Sequence, residues 1–165
     1  MKTIRIVLLA ALIFVLQLKV VPSIGLLGVA PDLVIVFLVA LVLERGPVAA
    51  VIIGFALGFL QDLGNASFLG MNALSKSLIA YGVSRFGAGF IPESVLFRGL
   101  LIFAASLCSE IVSLIVTTGF DLSVIAMSFF RYSILSALYT ALVGLLVFAV
   151  IDAVTGMVGG ARGRR

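Results

Sequence analysis

Six polar or ionisable side chains lie inside or at the ends of long apolar stretches of this sequence: Asp32, Asp62, Asn72, Lys76, Glu110 and Arg131. In hydrocarbon each charge costs about 2.5–3.5 kcal/mol, so such side chains must face a protein interior or find a partner. All but Glu110 are expected in the outer half of the membrane. There they can form one buried network by mutual pairing, or bind a ligand or a partner. Glu110 is expected to be protonated, paired with Arg131, or part of a proton relay.

The residue types needed for common catalytic and metal sites are missing or scattered. The chain has no histidine, which excludes His-based triads, HExxH zinc sites and haem ligation by His. No serine lies in a Ser-x-x-Lys motif, and the carboxylates lie on different segments without metal-ligand spacing. The single cysteine, Cys108, excludes an intramolecular disulfide. The sequence therefore predicts a protein that is not an enzyme, with no catalytic residue, metal or cofactor.

Small residues recur at every fourth position of the third apolar segment: Gly46, Ala50, Gly54 and Gly58, with Asp62 next in the series. We call these four small residues the glycine stripe. Its GxxxG motif lets two helix backbones approach closely in lipid. Small residues with the same spacing follow at Ala105, Ser109, Ser113 and Thr117, and at Ser133, Ala137 and Ala141. These small residues have two possible roles: they pack helices of this chain against each other, or they form a surface for a partner's helix.

The segments that carry these residues are too apolar for a soluble domain. Of the 165 residues, 63% are hydrophobic and 11% are charged, against about 25% charged in a typical soluble domain. The formal net charge of +4 is small and scattered, which argues against nucleic acid as a partner. The lipid bilayer is the solvent that fits this composition.

The apolar segments predict an all-α polytopic membrane protein, a six-helix transmembrane bundle that forms a single domain over residues 1–158. The helices are expected at about residues 4–21, 30–43, 47–63, 71–86, 95–118 and 127–153, followed by a flexible basic tail at 159–165. The positive-inside rule supports an even number of spans with both termini in the cytoplasm. The inner side then holds most of the cations: Lys2, Arg5, Arg45, Arg85, Arg98, Arg162, Arg164 and Arg165.

Residues 31–86 carry motifs in a distinctive order: Pro31-Asp32, then Gly-x-x-x-Gly-x-x-x-Asp at residues 54–62, then Gly-x-Asn-x-Leu-x-Lys at residues 70–76. With these motifs the chain resembles the rod-shape-determining protein MreD family. The resemblance implies a bacterial inner-membrane protein of the cell-elongation machinery that binds the bitopic protein MreC. It also implies that this complex works with an elongation polymerase and a class B penicillin-binding protein, and indirectly with the actin-like MreB.

MreD-like proteins also resemble in fold the vitamin-binding S-components of energy-coupling-factor transporters, and two hypotheses of function follow. The first is a non-enzymatic scaffold that regulates cell shape and peptidoglycan synthesis by packing helices with MreC. Its contact surface would be the glycine stripe or the small faces of the fifth and sixth helices. The alternative is an S-component-like small-molecule (vitamin) binding subunit, with the outer polar network as its pocket. The spacing of small residues common on helix 1 of S-components is absent, since Phe14 follows Ala10 and Val15 follows Ala11.

Overall fold

The computed structural model describes residues 2–25, 28–43, 45–64, 68–87 and 95–162. Within these ranges the chain forms six helices and no strand. They are α1 (Lys2–Lys19), α2 (Leu33–Val42), α3 (Pro47–Gly64), α4 (Met71–Gly82), α5 (Val95–Thr118) and α6, which comprises Leu122–Ser128, a π-helical turn at Phe129–Ser133, and Ile134–Arg162. A 3-10 turn (Val21–Ile24) follows α1, and a π-helical turn (Val83–Gly87) continues α4. The predicted all-α six-helix membrane fold is confirmed, and the likeness to S-components stays a prediction.

The lengths and surfaces of these helices are those of a membrane protein. Three stretches in the described part of the chain are long and apolar enough to span a bilayer: Pro47–Gly64, Val95–Thr118 and Leu122–Val150. The 24 residues of α5 reach about 36 Å at about 1.5 Å per residue, which exceeds a hydrocarbon core of about 30 Å. Large apolar side chains such as Leu8, Ile52 and Leu146 are exposed on the outside of the bundle. This outer surface therefore requires lipid rather than water.

Helix α2 lies in the centre of the bundle. Its ten residues are all apolar, and a helix that is hydrophobic on every side is expected to be buried. It packs against all five other helices, and Val34, Leu38, Val39 and Val42 are almost completely buried. The sequence pattern predicted a start at about residue 30. Instead the helix begins after Asp32, because the Asp32 carboxylate accepts hydrogen bonds from the first free backbone N–H groups.

The sixth helix is longer than the sequence pattern predicted. It begins at Leu122 rather than at about residue 127, because Asp121 caps its N-terminus by accepting from the backbone N–H groups of Ser123 and Val124. The chain turns into it through positive φ angles at Gly119 and Phe120. The helix continues to Arg162, so residues 159–162 of the predicted tail are helical, and residues 163–165 lie outside the described residues.

Candidate functional site

Asp62 caps the N-terminus of α4 although it belongs to α3. Its side chain is 1% exposed and accepts hydrogen bonds from the backbone N–H groups of Gly70, Asn72 and Ala73 and from the side-chain amide of Asn72, each at 3.0 Å. The first N–H groups of a helix have no intrahelical partner, and a negative charge there is favoured by the helix dipole. The carboxylate therefore joins the end of α3 to the start of α4.

Asn72 and Lys76 extend this contact along α4. The Lys76 ammonium donates to the Asn72 side-chain oxygen at 3.2 Å, one helical turn away. The ammonium also forms an ion pair with Asp32 at 3.2 Å. Lys76 is completely buried in this pair, and the Asp32 side chain is 25% exposed. The other Asp32 oxygen caps α2 through the N–H groups of Val34 and Ile35, at 2.9 and 3.1 Å. We call Asp32, Asp62, Asn72 and Lys76 the polar cluster, which links α2, α3 and α4.

The polar cluster is also tied to the first and last helices by polar residues that the sequence analysis did not single out. The backbone N–H of Asp32 donates to the Thr140 hydroxyl of α6 at 3.0 Å. Gln17 of α1 accepts from the N–H of Leu33 at 2.8 Å and donates to the carbonyl of Pro31 at 3.3 Å. Gln17 could have been identified from the sequence, since it is the one polar residue in the charge-free run 6–18. Thr140 could not have been identified in this way, because hydroxyl residues are frequent in apolar helices.

Glu110 and Arg131 lie outside the polar cluster. The Glu110 carboxylate accepts a hydrogen bond at 2.9 Å from Ser136, which joins α5 to α6. Arg131 is exposed, and its guanidinium lies 5.4 Å from the centroid of the Tyr132 ring. In the described part of the chain Arg131 makes no hydrogen bond or ion pair with the cluster or with Glu110. The alternative in which Glu110 pairs with Arg131 is therefore wrong, since Glu110 accepts from Ser136 and the Arg131 side chain is exposed.

Two residues of the glycine stripe, Gly54 and Gly58, pack inside the chain against α4. A Cβ atom on Gly54 would overlap the Lys76 carbonyl oxygen and lie 2.8 Å from the Ala80 Cβ. A Cβ atom on Gly58 would overlap the Asn72 carbonyl and lie 2.6 Å from the Ala73 Cα. Ala50 is completely buried, while Gly46 is exposed and has no atom within 4 Å of a Cβ position. Gly54 and Gly58 are therefore not available to a partner's helix.

The same internal packing occupies most of the other small faces. Ala105 of α5 and Ser133, Ala137 and Ala141 of α6 are buried, and Ser109 of α5 accepts a hydrogen bond from Ser75 of α4 at 3.2 Å. At the far end of these small faces, Thr117 is exposed. The small residues therefore serve mainly to bring helices of this chain together.

The hydrogen bonds and the ion pair of this arrangement hold the helices of the chain together. Both carboxylate oxygens of Asp32 and of Asp62 accept hydrogen bonds within the chain. Cavities of about 410 and 370 Å³ lie between α4 and α5 and between α3 and α4, and no residue of the polar cluster lines either of them. Among the described residues no group of three or more Cys, Asp or Glu side chains is placed to hold a metal ion.

Comparison with known proteins gives one result that bears on this site. The family model described as rod shape-determining protein MreD matches residues 1–154, which include the polar cluster and the glycine stripe. No curated protein and no solved structure matches the chain. Because the family model covers nearly the whole sequence, the chain belongs to the MreD family of rod shape-determining proteins.

Proposed function

We propose that this chain is a non-enzymatic membrane scaffold of the bacterial cell-elongation machinery, which regulates cell shape and peptidoglycan synthesis by forming a complex with MreC. Membership of a rod shape-determining family supports the link to cell shape. The observation that carries the scaffold role is the polar cluster. Its buried charges are used to hold α2, α3 and α4 together, and a fixed shape is what a scaffold needs.

The membrane in this proposal is the bacterial inner membrane, with both termini in the cytoplasm. The distribution of Lys and Arg along the sequence supports this orientation. The elongation polymerase and a class B penicillin-binding protein join the complex through MreC, and MreB is coupled to it indirectly.

The contact with MreC belongs to an outward apolar face of the bundle, because Gly54 and Gly58 of the glycine stripe pack against α4. Without a hydrophobic drive in lipid, helices associate by close packing and by interhelical hydrogen bonds. Helix α1, for example, leaves Val7, Leu8 and Leu12 more than half exposed, at 61%, 64% and 54%. The outward faces of α3, α5 and α6 also carry exposed apolar side chains such as Ile52, Leu100 and Leu142.

Purification of the tagged chain from rod-shaped bacteria in mild detergent tests this function. We expect MreC in near-equal amount, with the polymerase and the penicillin-binding protein retained more weakly. An unrelated polytopic membrane protein with the same tag is the control. Photocrosslinkers at exposed Leu12, Ile52, Leu100 and Leu142 then identify the face that contacts MreC.

Absence of MreC under conditions where the chain restores rod shape would contradict the proposal. A tightly bound vitamin-like molecule, or a coupling ATPase in place of MreC, would favour the alternative of a transporter subunit.

A further inference from the structure

An apolar groove of about 410 Å³ separates α4 from α5. Leu78, Gly82 and Val83 line it on α4, and Ala104 and Cys108 line it on α5. Its volume lies in the range of roughly 300–1,000 Å³ that is typical of small-molecule sites. Leu78 is 57% exposed, and Ala104 and Cys108 are exposed too. The groove is therefore open to the surrounding lipid.

Contacts between α4 and α5 border the groove. The hydroxyls of Ser75 and Ser109 join them on one side at 3.2 Å. On the other side Gly87 approaches Leu101, which lies 3.5 Å from the Cβ position of the glycine. Between these contacts Gly82 has no atom within 4 Å of its Cβ position. Neither helix fills the space above this glycine.

An exposed arginine follows the groove-lining part of α4 along the chain. Arg85 is exposed and follows Gly82 by three residues, about one helical turn. The Ser84 hydroxyl donates to the carbonyl of Arg45, so the backbone of a second exposed arginine lies beside the same end of α4. Basic residues at the cytoplasmic ends of transmembrane helices attract anionic lipid headgroups. An apolar groove with an exposed arginine about one helical turn beyond Gly82 suits a phospholipid, which has apolar acyl chains and a charged headgroup.

A protein helix fits this groove less well than an acyl chain. One turn of a helix with its side chains, about 10–12 Å in diameter and about 5.4 Å long, occupies at least about 400 Å³, so a groove of about 410 Å³ has room for little more than one turn. An acyl chain is thin and flexible enough to follow the surface over Gly82 and Ala104.

We propose that the groove between α4 and α5 binds one anionic phospholipid, with an acyl chain over Gly82 and the phosphate at Arg85. The inference rests on the proposed orientation of the chain only for the choice of the cytoplasmic leaflet. It does not depend on MreC.

Native mass spectrometry of the full chain tests this site. The protein is purified from membranes with phosphatidylglycerol and phosphatidylethanolamine, and the retained phospholipid is identified and counted. We expect one phosphatidylglycerol per chain. Gly82→Leu should abolish its retention, because the Cβ of the new residue has open space and its side chain would extend into the groove. Arg85→Gln should weaken binding about fivefold, the effect of about 1 kcal/mol for one arginine near a lipid surface.

Two matched variants serve as controls. Gly46→Leu adds a side chain at another glycine whose Cβ position has no atom within 4 Å, and Arg131→Gln removes an exposed arginine from a different helix. Both should retain the lipid at the wild-type level. A thermal unfolding midpoint within a few degrees of wild type shows that each variant is folded.

The inference is overturned by a wild-type chain that retains no lipid, by equal retention of the two lipids, or by a folded Gly82→Leu variant that retains phosphatidylglycerol as wild type does. A crosslink from position 82 to a second copy or to MreC, without bound lipid, would also overturn it. Retained lipid without MreC would contradict only the proposed function, whereas retained MreC without lipid would contradict only this site.

Discussion

At the scale of single residues, buried charge is the feature that organises this protein. Lys76 is completely buried, and an unpaired ammonium in such a place would be strongly destabilising. Asp32 and Asn72 provide acceptors for it, and Asp32 also caps α2. Asp62 performs the corresponding task at α4. Each carboxylate thus satisfies backbone N–H groups that would otherwise have no partner in a lipid-surrounded interior.

Substitution Lys76→Met should lower the free energy of unfolding by about 3 kcal/mol, because it leaves the Asp32 carboxylate without its cation. Helix content during titration with dodecyl sulfate measures this change. Lys19→Met is the matched control, since Lys19 is exposed at the end of α1, and it should change the value by less than about 0.5 kcal/mol. Equal effects of the two substitutions would contradict a role for the ion pair in stability.

Substitution Asp62→Ala should destabilise the protein by about 3 kcal/mol or more, because three backbone N–H groups and the Asn72 amide lose their acceptor. Asp62→Asn keeps one acceptor oxygen in the same place and should cost less. The same unfolding titration measures both. Asp121→Ala removes an exposed helix cap and should have a smaller effect than Asp62→Ala. An Asp62→Ala variant as stable as wild type would refute the capping role.

At the scale of elements, α3 and α4 form a hairpin whose backbones touch. Gly54 and Gly58 face the carbonyl groups of Lys76 and Asn72, the two residues of α4 whose side chains belong to the polar cluster. The close approach of the backbones and the polar contacts therefore occur at the same turns of α4. Because Gly54 and Gly58 have no side chains, α3 lies close enough to α4 for the Asp62 carboxylate to reach the N-terminus of α4.

Substitution Gly58→Ala should destabilise the protein by about 1–3 kcal/mol, the usual cost of inserting a methyl group into a packed interface. The reason is that the new Cβ would overlap backbone atoms, which cannot move aside as a flexible side chain can. Gly46→Ala, at the exposed end of the same stripe, should change the stability by less than about 0.5 kcal/mol. Thermal unfolding of the two purified variants compares them. If Gly58→Ala unfolded at the same temperature as Gly46→Ala, the α3–α4 hairpin would be packed less closely than the structure shows.

At the scale of the whole molecule, a short central helix is enclosed by longer ones. Helix α2 has ten residues, about 15 Å, roughly half of a bilayer core. The N-terminus of α2 contacts three side chains of neighbouring helices, which are Gln17 of α1, Lys76 of α4 and Thr140 of α6. Polar contacts at that end and apolar packing at Val39 and Val42 hold it in the interior of the bundle, with Ala40 as its exposed residue.

The proposed orientation predicts the results of reporter fusions. Green fluorescent protein should be fluorescent when fused to either terminus, because it folds in the cytoplasm. Alkaline phosphatase should be active when inserted after Gly64, on the outer side, and inactive when fused after residue 165. Active phosphatase at the C-terminus would contradict an even number of spans with a cytoplasmic N-terminus.

Much of this architecture follows from the sequence alone. Composition is a sum over residues, so it predicted the membrane environment without knowledge of any contact. Apolar length and the motifs at residues 54–62 and 70–76 are local, so they placed α3 and α5 to within a residue and indicated the family. The start of α6 was missed because Asp121 caps a turn that hydropathy does not register.

Tertiary structure alone decided which polar groups meet. Helical periodicity assigns Lys76 and Arg131 to faces of their helices, but it does not say which helix lies opposite each face. That depends on the rotation of every helix about its axis and on packing between segments far apart in the chain. The same packing turned Gly54 and Gly58 toward α4 and left Arg131 outside. It also brought Thr140 to Asp32 across 108 positions of sequence, a contact that only the folded bundle creates.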